Sequence, residues 1–201
     1  MKPFLLGSDL CAHRALRRCF VLLLLVFIGC KAAGAADEPW ILVDTGKQTL
    51  LVLAGTEQRP GRVLDRFRGV ALGRGGAKPD HLRGSDTTPL GSFRVAWINQ
   101  DSRFVLFFGL DFPTAEHAER AYKQQWIDKA TYDEILDALL NDQLPPQDTP
   151  LGGAIGIHGV GSGDIEIHRR FNWTDGCVAL TNAQIARLEH WIHIGTRVVI
   201  R

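Results

Sequence analysis

The chain has 201 residues, 45% of them hydrophobic, with 23 Lys and Arg against 22 Asp and Glu. That length suits one domain with an appendage. Beyond the first segment there is no long Lys/Arg tract, which excludes the electrostatic footprint of a nucleic-acid binder.

The start of the chain reads as an export signal. Arg14, Arg17 and Arg18 form a positive region, and Phe20 to Ile28 is an unbroken apolar run of nine residues. The small residues Ala32 to Ala36 follow, of the kind signal peptidase cuts. The apolar run falls short of the roughly 20 residues that span a bilayer. Residues 1–36 are therefore expected to be removed, and residues 37–201 to form one exported domain. Two alternatives keep the chain at a membrane: an uncleaved anchor, and a lipoprotein cleavage at Gly29-Cys30 that leaves Cys30 lipidated. Cleavage removes five basic residues and one acidic residue, leaving 18 against 21 and a net charge of −3. It also removes Cys11, Cys19 and Cys30, so Cys177 remains alone. A lone cysteine in an oxidising compartment cannot close an intramolecular disulfide, so a free thiol is expected.

From Trp40 to Leu53 two apolar runs flank the turn signal Asp44-Thr45-Gly46-Lys47, which predicts a β-hairpin. A third strand is expected over Arg62 to Leu72, ending at the glycine-rich Gly73-Arg74-Gly75-Gly76. Pro89 and Gly91 mark a turn, after which Phe93, Val95 and Trp97 alternate along a strand. Phe104 to Leu110 reads as another short strand, with Phe104, Phe107, Phe108 and Phe112 expected in the core. The middle differs. Thr114 is placed to cap a helix over 115–128, and Thr131-x-x-Glu134 reads as a capping box opening a second helix. This helical insertion, about 114–144, is expected either to wall the active cleft or to shield a sheet edge. A strand then carries His158, and residues 182–193 read as an amphipathic helix capped by Asn182. Arg197 to Arg201 returns as a strand. The whole reads as a mainly β domain, a sandwich with a helical insertion and a C-terminal helix.

The stretch Ile155 to Thr181 holds the chemistry. Cys177 follows Gly176 in the polar, turn-like setting Thr174-Asp175-Gly176, which disfavours an inert buried thiol. A thiol is a strong nucleophile only as thiolate, so it needs a base, and His158 is the natural candidate because imidazole titrates near neutrality. Histidine precedes cysteine, the reverse of papain-like proteases. His168, in a segment read as a strand, is expected to be solvated, although it could face the cleft. Arg169 and Arg170 could bind a carboxylate through a bidentate fork or simply be solvated. A zinc site built from His158, His168, Asp175 and Cys177 would lack the compact ligand pairs typical of zinc.

These residues resemble the L,D-transpeptidase catalytic domain (the YkuD-type fold) of bacterial cell-wall enzymes. That family carries a His, a spacer, then Ser/Thr-His-Gly-Cys; here fifteen residues separate His158 from Thr174-Asp175-Gly176-Cys177. Gly84-Ser85-Asp86-x-x-Pro89-x-Gly91 is similar to the family's turn before a strand, and the hairpin with Lys47-Gln48-Thr49-Leu50 also fits. The resemblance covers roughly residues 40–201. Asp175 replaces the family's second histidine, and Ala179 stands where Arg or Asn is usual. A carboxylate beside Cys177 should raise the thiol pKa unless it points elsewhere. A divergent branch with Trp-Thr-x-Gly-Cys shares this pattern.

The resemblance implies action on peptidoglycan stem peptides through a Cys177 thioester, in cell-wall biogenesis. His158 would serve as base, the Gly159 carbonyl would orient it, and the amides of Gly176 and Cys177 would form the oxyanion hole, with Thr174 supporting the turn. The acceptor could be a neighbouring stem, a D-amino acid, an anchored outer-membrane lipoprotein or water. A catalytically dead peptidoglycan-binding module is the rival from another class. Thiol acyl transfer implies no metal or organic cofactor, and no stable protein partner is evident.

Overall fold

The computed structural model describes residues 38–201; the signal segment, the Gly29-Cys30 site and three of the four cysteines lie outside the described residues. Strands β1 (Trp40–Asp44) and β2 (Thr49–Gly55) form the expected hairpin. Its turn closes because Asp44 accepts the Lys47 N–H at 2.9 Å and pairs with Lys47 Nζ at 2.7 Å. Strand β3 (Pro60–Arg68) ends earlier than expected. Residues 70–74 instead leave it to bond to the segment around the nucleophile, as described below.

The remaining elements are β4 (Ala77–Lys78), β5 (Thr88–Pro89), β6 (Gly91–Ser102), β7 (Val105–Leu110), α1 (Ala115–Lys123), α2 (Lys129–Leu140), β8 (Gly156–Gly159), α3 (Ile165–Arg170), β9 (Val178–Leu180), α4 (Asn182–Leu188) and β10 (Arg197–Ile200). Eight strands form one mixed sheet in the order β3-β2-β1-β10-β6-β7-β8-β9, with β1–β10 and β8–β9 parallel. The small pair β4–β5 lies apart from it. The fold is thus mainly β, as the alternation predicts. The large sheet curls until its ends meet: Ala71, just past β3, exchanges backbone hydrogen bonds of 3.1 and 2.8 Å with Ala179 of β9.

Inside the curl, Ile41, Val43, Leu50, Val52, Phe67, Phe108, Ile157, Val178, Leu180 and Val198 are completely buried. Burying each such side chain contributes about 1.5–3 kcal/mol. That matters most for β8 and β9, only four and three residues long. Packing of Ile157, Val178 and Leu180, rather than ladder length, holds these two strands and the functional residues at their ends.

Three local expectations are corrected. The segment IEIHRR is the helix α3, not a strand; Asp164 caps it by accepting from the amides of Glu166 (2.7 Å) and Ile167 (3.4 Å). Its alternating isoleucines, Ile165 and Ile167, are both exposed, so the alternation did not report burial. Helix α2 begins two residues before Thr131 because Asp128 occupies the cap and accepts the Thr131 N–H at 2.8 Å. Thr181, not Asn182, caps α4, in a reciprocal capping box with Gln184. Asn182 instead brackets the Gly161 peptide, accepting from its N–H (2.8 Å) and donating to its carbonyl (2.7 Å).

Candidate active site

Strands β8 and β9 run parallel with His158 opposite Ala179 and Ile157 opposite Val178. Cys177 therefore precedes the paired part of β9, and His158 belongs to the neighbouring strand. Both open on one cleft of about 520 Å³, lined also by Arg74, Arg103, Phe104, Phe107, Gly153, Ala154, Ile155, Trp173, Thr174 and Asp175. No residue of the helical insertion lines it. Helix α1 instead packs beside the start of β6, where His117 stacks on Phe93 and donates to the Leu90 carbonyl.

His158 is buried and its Nδ1 lies 2.6 Å from the Gly159 carbonyl oxygen. A carbonyl only accepts, so Nδ1 carries the proton and Nε2 keeps its lone pair. The ring is held in an aromatic cage. Phe104 stacks on it at 4.1 Å, Phe107 lies at 5.9 Å and nearly parallel, and Trp173 meets it edge-on at 5.7 Å. Burial pushes His158 down to about 4, opposed by the Gly159 bond and assisted by the charges of His168 and Arg103.

Cys177 is half-buried, and its Sγ donates to the Ala154 carbonyl at 3.4 Å rather than to His158. Ala154 has φ of 52°, a left-handed conformation that a residue with a Cβ adopts at some cost. Burial pushes the Cys177 thiol up to about 12, opposed by the Gly156 amide and assisted by Asp175. The resting pair is a neutral thiol and a neutral imidazole.

Thr174 organises the turn before the nucleophile. Its Oγ1 donates to the Cys177 carbonyl at 2.6 Å and accepts the Gly176 N–H at 3.2 Å. The Gly176 amide, expected in an oxyanion hole, is therefore occupied. Gly176 has φ of 137°, and a Cβ there would meet the Thr87 carbonyl at 2.8 Å and His81 Cε1 at 2.9 Å. Only glycine fits that backbone and that space. The glycine-rich turn after β3 secures the other side: Leu72 O accepts from Trp173 N and Thr174 N, and Arg74 N donates to Thr174 O at 2.9 Å.

Asp175 is exposed to solvent, where Arg74 holds it at 2.6 Å while also pairing with Asp86 at 3.0 Å. His168 is buried, not solvated, and accepts Trp173 Nε1–H through its Nδ1 at 3.2 Å. It positions Trp173 and does not line the cleft. Arg170 is exposed and also lies outside the cleft lining. With Asp175 and His168 so engaged, the four zinc-type side chains do not converge; among the described residues no three His, Cys, Asp or Glu form a metal cluster. Sequence reasoning missed Arg74, Arg103 and the cage of Phe104, Phe107 and Trp173. Phe104 and Phe107, expected in the core, are only partly buried; of that set Phe108 and Phe112 alone are fully buried.

Comparison with known proteins places the fold in a family. Residues 38–200 match the family described as YkuD, L,D-transpeptidase catalytic domain. Among solved structures, Bd1075 of Bdellovibrio bacteriovorus is similar at 18% identity with a TM-score of 0.50, covering 83% of this chain and 49% of its own. The helical cell shape determining protein Pgp2 of Campylobacter jejuni is similar at 15% identity with a TM-score of 0.54, covering 82% of this chain and 48% of its own. At these identities the likeness is one of fold, and this chain spans about half the length of either protein. No curated protein sequence matches. With the matched segment covering nearly all the described residues, the chain belongs to the L,D-transpeptidase catalytic-domain family.

Proposed function

We propose that the protein is an exported, periplasmic cysteine acyltransferase that modifies peptidoglycan stem peptides during cell-wall biogenesis, by way of a Cys177 thioester. The observation that carries this reading is the shared cleft of Cys177 and His158, with His158 Nδ1 committed to Gly159 so that Nε2 is free to take a proton. The fold shared with Pgp2, a cell shape determining protein, supports a role in cell shape.

The thiol leaves the Ala154 carbonyl and attacks the carbonyl of the residue-three diamino acid. Its proton passes to His158 Nε2, a change of rotamer at Cys177 that substrate binding would favour. The Cys177 amide stabilises the oxyanion, since Thr174 already holds the Gly176 amide. Collapse breaks the peptide bond, the imidazolium returns its proton to the leaving nitrogen, and D-alanine departs. An amine or water then attacks the thioester and frees the thiol. A neighbouring stem, a D-amino acid or an anchored lipoprotein gives transfer; water gives carboxypeptidase activity.

Incubation of the mature protein with defined muropeptides, resolved by mass, tests this. D-alanine release and a Cys177 adduct are expected, both lost in Cys177→Ala. Absence of any Cys177-dependent release, exchange or cleavage would sink the acyl-transfer reading and leave a binding module.

A further inference from the structure

The cleft holds two arginines in opposite circumstances. Arg74 donates to Asp86 through Nε and Nη2 and to Asp175 through Nη2, so two carboxylates already answer its charge. Arg103, on the turn between β6 and β7, lines the same cleft and has no hydrogen bond or ion pair from its guanidinium to any described residue. It is nonetheless oriented. Its guanidinium carbon lies 4.7 Å from the centroid of the Phe104 ring, and Phe104 stacks on His158 at 4.1 Å.

A guanidinium lying on an aromatic face keeps its N–H donors, which point outward in its own plane. Stacking restricts a long side chain before any ligand arrives, which lowers the cost of binding. Arg74 and the two carboxylates paired with it, Asp86 and Asp175, together carry one excess negative charge. An anionic group therefore finds an unanswered fork at Arg103 and none at Arg74.

We propose that Arg103 forms a carboxylate subsite, reading a carboxylate on the acyl donor that Cys177 attacks. This deepens the acyl-transfer reading and rests on it. A stem tetrapeptide whose third residue is a diamino diacid offers two sources: the α-carboxylate of its terminal D-alanine and the side-chain carboxylate of that third residue. Recognition of the first confines the enzyme to free chain ends. Recognition of the second selects the donor residue whatever follows it.

Calorimetric titration of the Cys177→Ala protein decides the matter. The probes are the stem tetrapeptide, its C-terminal carboxamide and its side-chain carboxamide. One carboxamide is expected to bind about tenfold or more weakly, as befits loss of a charge-assisted hydrogen bond, and its identity names the source. Adding Arg103→Gln, an exposed site where folding should be retained, is expected to erase that difference; unfolding midpoints check the fold. Equal affinities for the three peptides, no measurable binding, or a difference that survives Arg103→Gln would each overturn the proposal. Since this protein lacks the thiol, failure here is distinct from failure of acyl transfer, which the Cys177-dependent release of D-alanine decides.

Discussion

His158 Nε2 is the ring nitrogen left without a proton when Nδ1 is bound to Gly159, and at neutral pH nothing in its surroundings protonates it. Burial has pushed the imidazole down to about 4 and the thiol up to about 12, so catalysis starts from a neutral pair, not a preformed thiolate–imidazolium. The expected kcat/KM profile follows. Activity should fall on the acid side as His158 takes up a proton near pH 4, and the usual thiol limb near 8.5 should be absent. A profile that instead rises tenfold per unit through pH 8 would show that the thiol must ionise before attack. Asp175 adds a smaller effect. Its carboxylate raises the Cys177 pKa, although Arg74 holds it out in solvent. Asp175→Asn should therefore increase the alkylation rate of Cys177 at fixed pH, and Arg74→Ala, which releases the carboxylate, should not. Iodoacetamide labelling followed by mass spectrometry measures both.

The nucleophile turn is held by segments far away in the chain. The turn after β3 bonds to Trp173 and Thr174, while the loop leading into β5 presents His81 and Thr87 to the back of Gly176. His81 is itself fixed, its Nδ1 donating to the Thr87 carbonyl at 2.5 Å. Helix α1 reaches the same loop through Arg120, which pairs with Asp80 at 2.8 Å and donates to the Pro79 carbonyl. The helical insertion thus buttresses the site from behind without walling the cleft. Gly176→Ala is expected to displace the turn, because the new Cβ would collide with backbone as well as with His81. Acylation of Cys177 should drop by more than tenfold while the chain stays folded, as read by adduct mass and circular dichroism. At the start of α4, Thr181→Ala removes one half of the capping box. The expected cost is about 1 kcal/mol, or a fall of roughly 2–4 °C in Tm for a domain of this size, with activity little changed.

Over the whole molecule, four buried histidines tie stability to pH: His81, His117, His158 and His168 are each pushed down by burial. His158 and His117 are both pushed down to about 4, with burial the main cause in each. An unfolded histidine titrates near 6.5, so between pH 6.5 and 4 the unfolded chain binds more protons than the folded one. The stabilisation they contribute is complete above pH 6.5 and lost as pH falls toward 4, together on the order of a few kcal/mol. Urea unfolding at stepped pH should show that decline, and His117→Asn, outside the cleft lining, should make it shallower.

Much of this was legible in the residues because turn chemistry and alternation are local. The opening hairpin, the strands of Phe93 and His158, the glycine turn before Cys177 and the His-to-Cys order all follow from neighbours a few positions apart. The α3 segment was misread for the same reason, since IEIHRR alternates like a strand yet buries neither isoleucine. The protonation states of Cys177 and His158 were not legible: they come from burial within a curled sheet that closes through Ala71 and Ala179. Nor was the fate of Asp175, which depends on an arginine 101 positions away. Local sequence specifies which groups are present and how each turn bends; desolvation and charge pairing arise only when distant segments are brought together.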